Sequence, residues 1–294
     1  MYKTNKSFRA SKNQVIGFAL VLITCLYSMP IFSMEALTLG IFPRRSSIET
    51  MKMFIPIVNH LNKRLQIKIK LIPSKDFPTF WQRVKDKEFD IVHFNQYHYV
   101  KAHEELEYDV FAVNEEFGES TITGSVIVRK DSGINTVKDL KGKHIVFGGG
   151  KMAMQSYIYA TYLLMEQGLS TKEYTYSIAP TPPNAIFATY YKQADAGGVG
   201  DKVLKLHSVS KHIDTNQIKY LVRGKQYPHL PWAMKRSLSD DIKQKIALTM
   251  VNMKSTMQGK KLLKKANLTG FVQVDDKDFN PHRKIIMKVM GADY

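Results

Sequence analysis

The sequence predicts an α/β fold of two lobes, each a central mixed, mainly parallel sheet flanked by helices. Three observations carry this. Short apolar runs alternate with segments of helical periodicity from residue 37 onward. A second series of the same kind begins near Thr123. Loops rich in glycine, proline and polar residues fall where strands end and helices begin. Strands followed by crossover helices imply parallel pairing with helices on the sheet faces.

The first unit opens with a strand over Leu37–Phe42 and the loop Phe42–Ser47. Ser46 and Glu49 have the spacing of a capping box, and Ile48, Met51, Ile55, Val58 and Leu61 recur on one helical face. Ile67–Leu71 reads as a strand, Phe77–Lys87 as a helix, Phe89–Val92 as a strand. A short helix runs toward Glu105, and Val110–Val113 is the next strand. The second unit has strands at Ser125–Arg129, Ile145–Phe147, Tyr174–Ile178 and Ala196–Val199. Helices span Met152–Gln167 and Asn184–Gln193, with Pro182 and Pro183 at positions where a missing N–H costs little. Lys219–Val222 is expected to return the chain to the first lobe, and the remainder reads as helical: Ser239–Thr249 and Gln258–Lys265. The boundaries expected are 1–33 for a leader, 34–121 for the first part of lobe 1, 122–221 for lobe 2, and 222–294 for the return.

Residues 1–14 carry Lys3, Lys6, Arg9 and Lys12 and no acid, and Val15–Leu26 is apolar. A basic stretch, an apolar core and a polar exit are the parts of a secretory signal, with cleavage expected near Ser33 or Ala36. The apolar run is short for a membrane span. Export to the periplasm follows. Cys25, the one cysteine, lies in this segment, so the mature chain has no disulfide and no thiol nucleophile. Lipid anchoring through Cys25 is disfavoured, because Thr24 and Leu26 are unusual neighbours for a lipidated cysteine.

Removing residues 1–33 reduces the formal charge from +17 to +13. A basic body attracts acidic partners, but no zinc-finger or recognition-helix pattern supports nucleic-acid binding. Lys260–Lys265 reads as one basic helix with a solvated face.

Ligands of such sheets gather at the C-terminal ends of strands. The loops there are Phe42–Ser47, His93–Tyr99, Gly148–Lys151, Thr181–Asn184 and Gly197–Asp201. Two belong to the first lobe and three to the second, so a cleft between lobes that closes by hinge motion is expected. The passage Ile145–Lys151 ends an apolar strand in three glycines and a lysine before a helix. Uncovered amides at a helix start suit an anion. The candidate ligand contacts are Arg44, Ser46, Asn95, Tyr97, Tyr99, Gly149, Gly150, Lys151, Asn184, Asp201 and Trp232. Tyr97, Tyr99, Tyr157 and Trp232 are aromatic-wall candidates, and Asp201 has a second reading as a helix cap. A small organic anion or zwitterion fits these groups better than bare phosphate.

Asp90–Val100, with Val128–Ile134 and Asp139–Lys143, resembles the substrate-binding proteins of phosphate, phosphite and phosphonate ABC importers, within the type II periplasmic-binding fold. The resemblance covers most of residues 37–250 and places a cleft tyrosine at Tyr99. It implies a monomer that captures a small-molecule solute without a cofactor and meets an inner-membrane permease. A periplasmic sensor domain is the alternative partner. The chain departs from the family at its oxyanion-gripping Ser-Thr-Ser-Gly run, which falls near Met152–Gln155, and at its Ser-His-Asp run, near Pro182–Asn184.

Metal and enzyme readings rank lower. His93 and His98 are five residues apart and do not share a helical face, and the methionines have core spacing. There is no G-x-S-x-G elbow and no H-E-x-x-H helix.

Overall fold

The computed structural model describes residues 1–2 and 36–294. The expected leader, its cleavage site at Ser33 and Cys25 lie outside the described residues. The strands, in chain order, are β1 (Leu37–Ile41), β2 (Ile69–Ile72), β3 (Ile91–His93), β4 (Tyr108–Glu115), β5 (Thr121–Ile122), β6 (Gly124–Arg129), β7 (His144–Gly148), β8 (Thr175–Ala179), β9 (Ala196–Gly200), β10 (Ile218–Arg223), β11 (Tyr227–Pro228), β12 (Pro231–Lys235) and β13 (Gly270–Gln273).

The first sheet has the order β13–β4–β12–β3–β1–β2. β1 pairs parallel with β2 and β3, whereas β12 runs antiparallel between β3 and β4. One face packs on helices Ser47–Leu65, Asp240–Val251 and Met257–Lys265 through Phe54, Ile57, Leu61, Ile246, Met250 and Leu263. The other carries Phe77–Lys85, Gln96–Leu106 and Asn280–Met290. Side-chain caps start most of these helices: the expected cap is at Ser46, whose Oγ accepts from the Glu49 amide at 3.2 Å, and Asn95 Oδ1 accepts from the His98 amide at 2.9 Å.

The second sheet has the order β10–β6–β9–β7–β8, with β7 parallel to β8 and β9 and with β6 antiparallel to β9 and β10. Lys219–Val222 therefore does not return the chain to the first lobe: it lies within β10, paired to β6 at the edge of the second sheet. The tail also holds more strand than expected. Trp232 and Ala233 bury in β12 at the middle of the first sheet. The two passages between the sheets pair with each other as β5 and β11.

Glycines set how closely the helix after β7 meets this second sheet. A Cβ on Gly198 would lie 2.4 Å from the Ser156 carbonyl oxygen and 2.2 Å from the Phe147 ring. One on Gly124 would lie 2.8 Å from the Gln155 carbonyl oxygen. Bare backbone at both places lets residues 155–159 rest directly on β6 and β9. Gly198→Ala is expected to lower stability by about 1–3 kcal/mol and to weaken anion binding by lifting Gln155 and Ser156. Chemical denaturation together with titration calorimetry checks both.

Candidate functional site

A cavity of about 290 Å³ opens between the two sheets. The first lobe contributes Phe42, Arg44, Arg45, Phe77, Asn95 and Gln96, and the second Gly149, Met154, Gln155, Ser156, Thr181 and Pro182. Its walls are largely apolar, with few polar groups placed among them, as in small-molecule sites generally.

Most polar groups of the second lobe come from one helix start. β7 ends at Gly148, and Gly149 and Gly150 take φ of +87° and +98°. That left-handed backbone is one that glycine adopts without Cβ strain. The chain then enters a wide π turn over Met154–Tyr159, which continues as α-helix over Ala160–Glu166. The cap position is held by Ala153, whose side chain has no acceptor. The amides of Met154, Gln155 and Ser156 accordingly find no acceptor among the described residues. All three residues line the cavity, and both amide atoms of the buried Gln155 side chain are also unpartnered. An uncapped helix start costs about 0.5–2 kcal/mol, which an oxyanion in the cavity would offset by accepting from those amides.

The first lobe faces this start with Arg44 and Arg45. Arg44 Nη1 donates to Glu116 Oε1 at 3.2 Å, and Arg45 Nε lies 3.5 Å from Glu49 Oε1. Burial, then the adjacent Arg44 charge, lowers the Arg45 pKa from its ordinary value. An anion between the two guanidiniums would relieve that crowding. Behind Arg44 lies a buried group of Glu116, Asn114, His229 and His93. Burial alone would push the Glu116 carboxyl up; Arg44, His229 and the Asn114 hydrogen bond bring it down to about 2. Arg44 does most of this, because His229 is itself neutral down to about pH 4. Its Nδ1 accepts the Leu230 amide at 2.8 Å, leaving the proton on Nε2, 3.7 Å from Glu116 Oε2.

Acid is therefore expected to destabilise the protein in two stages. Burial holds His229 at about 4 and His98 and His282 at about 3. Each unfolded imidazole takes up its proton near 6.5 while the folded one does not, so below pH 6.5 each costs on the order of 1 kcal/mol per pH unit. Glu116, with its depressed folded value, adds to the loss as pH falls below the ordinary carboxylate range toward 2. Thermal melts from pH 7.5 to 4 should show the midpoint falling from about pH 6.5 downward; a flat profile would contradict the neutral buried histidines.

The structure brings some of the candidate residues to the cavity and takes others away. Arg44, Asn95 and Gly149 line it, and Asn95 Nδ2 reaches across to donate to the Met152 carbonyl at 3.2 Å. Ser46 is engaged as a helix cap beside it. Gly150 and Lys151 turn outward, with Lys151 Nζ 5.7 Å from the Tyr176 ring centre. Asn184 accepts the Thr181 hydroxyl and is exposed.

Tyr99 is no cleft residue: it is fully buried against Phe279, and its hydroxyl donates to Asp276 Oδ1 at 2.6 Å. Tyr97 is turned the same way, edge-on to Tyr294. Trp232 belongs to the sheet core, stacked on His93 with Nε1 donating to Asn114 at 2.8 Å. Tyr157 packs on Phe147 within the second lobe. These aromatic faces are consumed by packing; the cavity's rings are Phe42 and Phe77.

Asp201 is neither in the cavity nor a helix cap. Its carboxylate accepts from the Thr123 amide, Arg223 and Gln226, at 3.2, 2.9 and 2.8 Å, and so ties both interlobe passages to the end of β9.

Gln155, Ser156, Arg45 and Thr181 are cavity residues absent from the sequence candidates. The available signal was the first turn of the helix after Gly148–Gly150, read for backbone amides rather than for hydroxyls. Among the described residues, no three of His, Cys, Asp and Glu converge as a metal site, and no helix is long and apolar enough to cross a membrane.

Residues 39–279 match the family of phosphonate ABC-transporter periplasmic substrate-binding proteins. The phosphonates-binding periplasmic protein of Escherichia coli (strain K12) is 23% identical over 258 residues, covering 86% of this chain and 76% of that one. The solved structure of PhnD1 from Prochlorococcus marinus, in complex with methylphosphonate, has a TM-score of 0.75 at 18% identity and covers 87% of this chain and 99% of its own. A binding protein component of an ABC phosphonate transporter from Pseudomonas aeruginosa gives 0.73 at 17% identity, covering 87% and 86%. The fold is that of type II periplasmic-binding proteins, and the chain belongs to the phosphonate family of ABC-transporter periplasmic substrate-binding proteins.

Proposed function

We propose that this protein captures a small organophosphonate, or a closely related organic oxyanion, in the interlobe cavity and presents it to an inner-membrane permease. One observation carries the choice of ligand chemistry. The uncapped amides of Met154, Gln155 and Ser156 and the guanidiniums of Arg44 and Arg45 border one cavity from opposite lobes. Backbone amides take over the work of the hydroxyls that the family's gripping run supplies, with Ser156 adding one hydroxyl to the lining. The apolar walls at Phe42, Phe77 and Leu230 suit an organic substituent better than bare phosphate.

In this reading residues 1–33 are a leader removed on export, near Ser33 or Ala36. The mature protein acts as a monomer without cofactor or catalysis; its second lobe runs from residue 122 through the end of β10 at Arg223, later than the expected boundary at 221, and the chain then returns to the first lobe. The proposed ligand sites that remain are Arg44, Asn95 and Gly149, joined by Gln155 and Ser156.

The test is native mass spectrometry of the freshly purified mature protein, followed by calorimetry with methylphosphonate, ethylphosphonate, phosphite and phosphate. One bound organic oxyanion per chain and micromolar or tighter phosphonate affinity are expected. Recovery of inorganic phosphate alone, with no phosphonate affinity, would overturn the reading.

A further inference from the structure

A second cavity, of about 630 Å³, adjoins the first on the far side of the two arginines. Phe42, Arg44, Arg45, Glu49, Leu206 and Ser208 border both, so the two spaces meet at these side chains. The larger one is also interlobe. Residues 205–211 of the second lobe close it against the start of the helix Ser47–Leu65, the end of β4 and residues 264–269 of the first.

Its charge is lopsided. The basic residues of the lining are Arg44, Arg45, Lys205, Lys211 and Lys264, with His207 beside them, against Glu49 and Glu116. The arginines are matched to those two glutamates, and Lys205 Nζ lies 3.2 Å from Glu119. Lys211 and Lys264 have no ion-pair partner among the described residues, and one comes from each lobe. Two unmatched ammonium groups across a partly enclosed space raise the local concentration of anions. A one-carbon phosphonate fills neither cavity: spaces of about 300–1,000 Å³ hold ligands of drug size.

We propose that the protein's solute is an elongated organic oxyanion bearing a second anionic group. Its first oxyanion sits at Met154–Ser156 and its distal anion lies in the adjoining cavity between Lys211 and Lys264. This rests on the oxyanion reading of the helix start. The arginines then lie along the solute between its two anionic ends.

The test is calorimetry of the mature protein with n-alkylphosphonates and with ω-carboxyalkylphosphonates of matched length, from about three to eight carbons. At one length the carboxylate should improve affinity at least about fivefold over its alkyl partner, the gain that two solvent-screened charge contacts provide. The gain should shrink with added salt. In the variant carrying Lys211→Ala and Lys264→Ala it should vanish while methylphosphonate affinity stays within about twofold. Both lysines are exposed, so the variant is expected to fold. Equal affinities of the matched pairs at every length, or a gain that survives in the double variant, would overturn the second subsite while leaving the first in place. Failure of every phosphonate to bind would overturn the oxyanion reading and this proposal together.

Discussion

Arg44→Met is expected to lower phosphonate affinity about tenfold to a hundredfold and stability by about 2–4 kcal/mol. The two losses have different origins. Affinity falls because a charged donor facing the oxyanion is gone, and a charge-assisted hydrogen bond in a water-poor site is worth about 1.5–3 kcal/mol. Stability falls because Glu116, 8% exposed in its side chain, loses its charged hydrogen-bond partner and is left with the Asn114 hydrogen bond, a neutral His229 and the charge of Arg45 against the cost of burial. The remaining exposure of Arg44, 27%, places the cost below that of breaking a fully enclosed pair. A second substitution separates the effects. In the double variant Arg44→Met, Glu116→Gln the stranded charge is absent, so most of the stability should return and none of the affinity. For a chain of this size each kcal/mol moves the melting midpoint by about 2–4 °C, well within calorimetric reach. Recovery of binding in the double variant would show that Arg44 acts only by holding Glu116.

Asp201→Ala is the second large effect, and its signature is the reverse: stability falls by about 2–4 kcal/mol, while affinity drops only about fivefold to tenfold. The carboxylate is 2% exposed and accepts from three donors on the two interlobe passages. Its removal strands the buried Thr123 amide, which has no second acceptor, and frees Arg223 and Gln226. The passages then hold the lobes less firmly, so closure over a solute must order more chain. Lys202 and Lys205 still pair with Glu119 on the first passage, which is why binding should survive. Equilibrium denaturation and small-angle scattering with and without methylphosphonate measure the two consequences. A variant as stable as the parent would show that this clip is incidental.

The parts of the molecule that follow from local pattern were legible in the sequence. β1, β7 and β9 are compact apolar or glycine-rich runs beside helices with clear periodicity or caps, so local preference and final structure agree. β12 and β13 were not legible. β12 begins with Pro231, is only five residues long and gains its stability from neighbours distant in sequence on both sides. β10 has ordinary strand composition, but nothing local says which sheet it joins; pairing with β6 decides that. The helix Asn280–Met290 has an amphipathic pattern, and it packs on the helix after β7 through the cluster that contains Met154, Ile158, Phe279 and Ile286.

The site divides in the same way. The uncapped helix start could be read from Gly148–Gly150 and the helix behind them, because backbone amides depend on local conformation. The aromatic wall could not. Tyr97 and Tyr99 follow the Asn95 cap, and the helix phase that the cap sets turns both rings toward the C-terminal segment, 177 residues from Tyr99 at the Asp276 contact. Trp232 was misplaced for the same reason as β12: its surroundings are made by residues remote in sequence.

The most direct measurement is amide NMR of the mature protein titrated with methylphosphonate. The account predicts that the N–H protons of Met154, Gln155 and Ser156 shift furthest downfield as they acquire an acceptor, accompanied by the side-chain guanidinium signals of Arg44 and Arg45. Saturable binding that leaves those three amides unmoved while shifting residues elsewhere would contradict it.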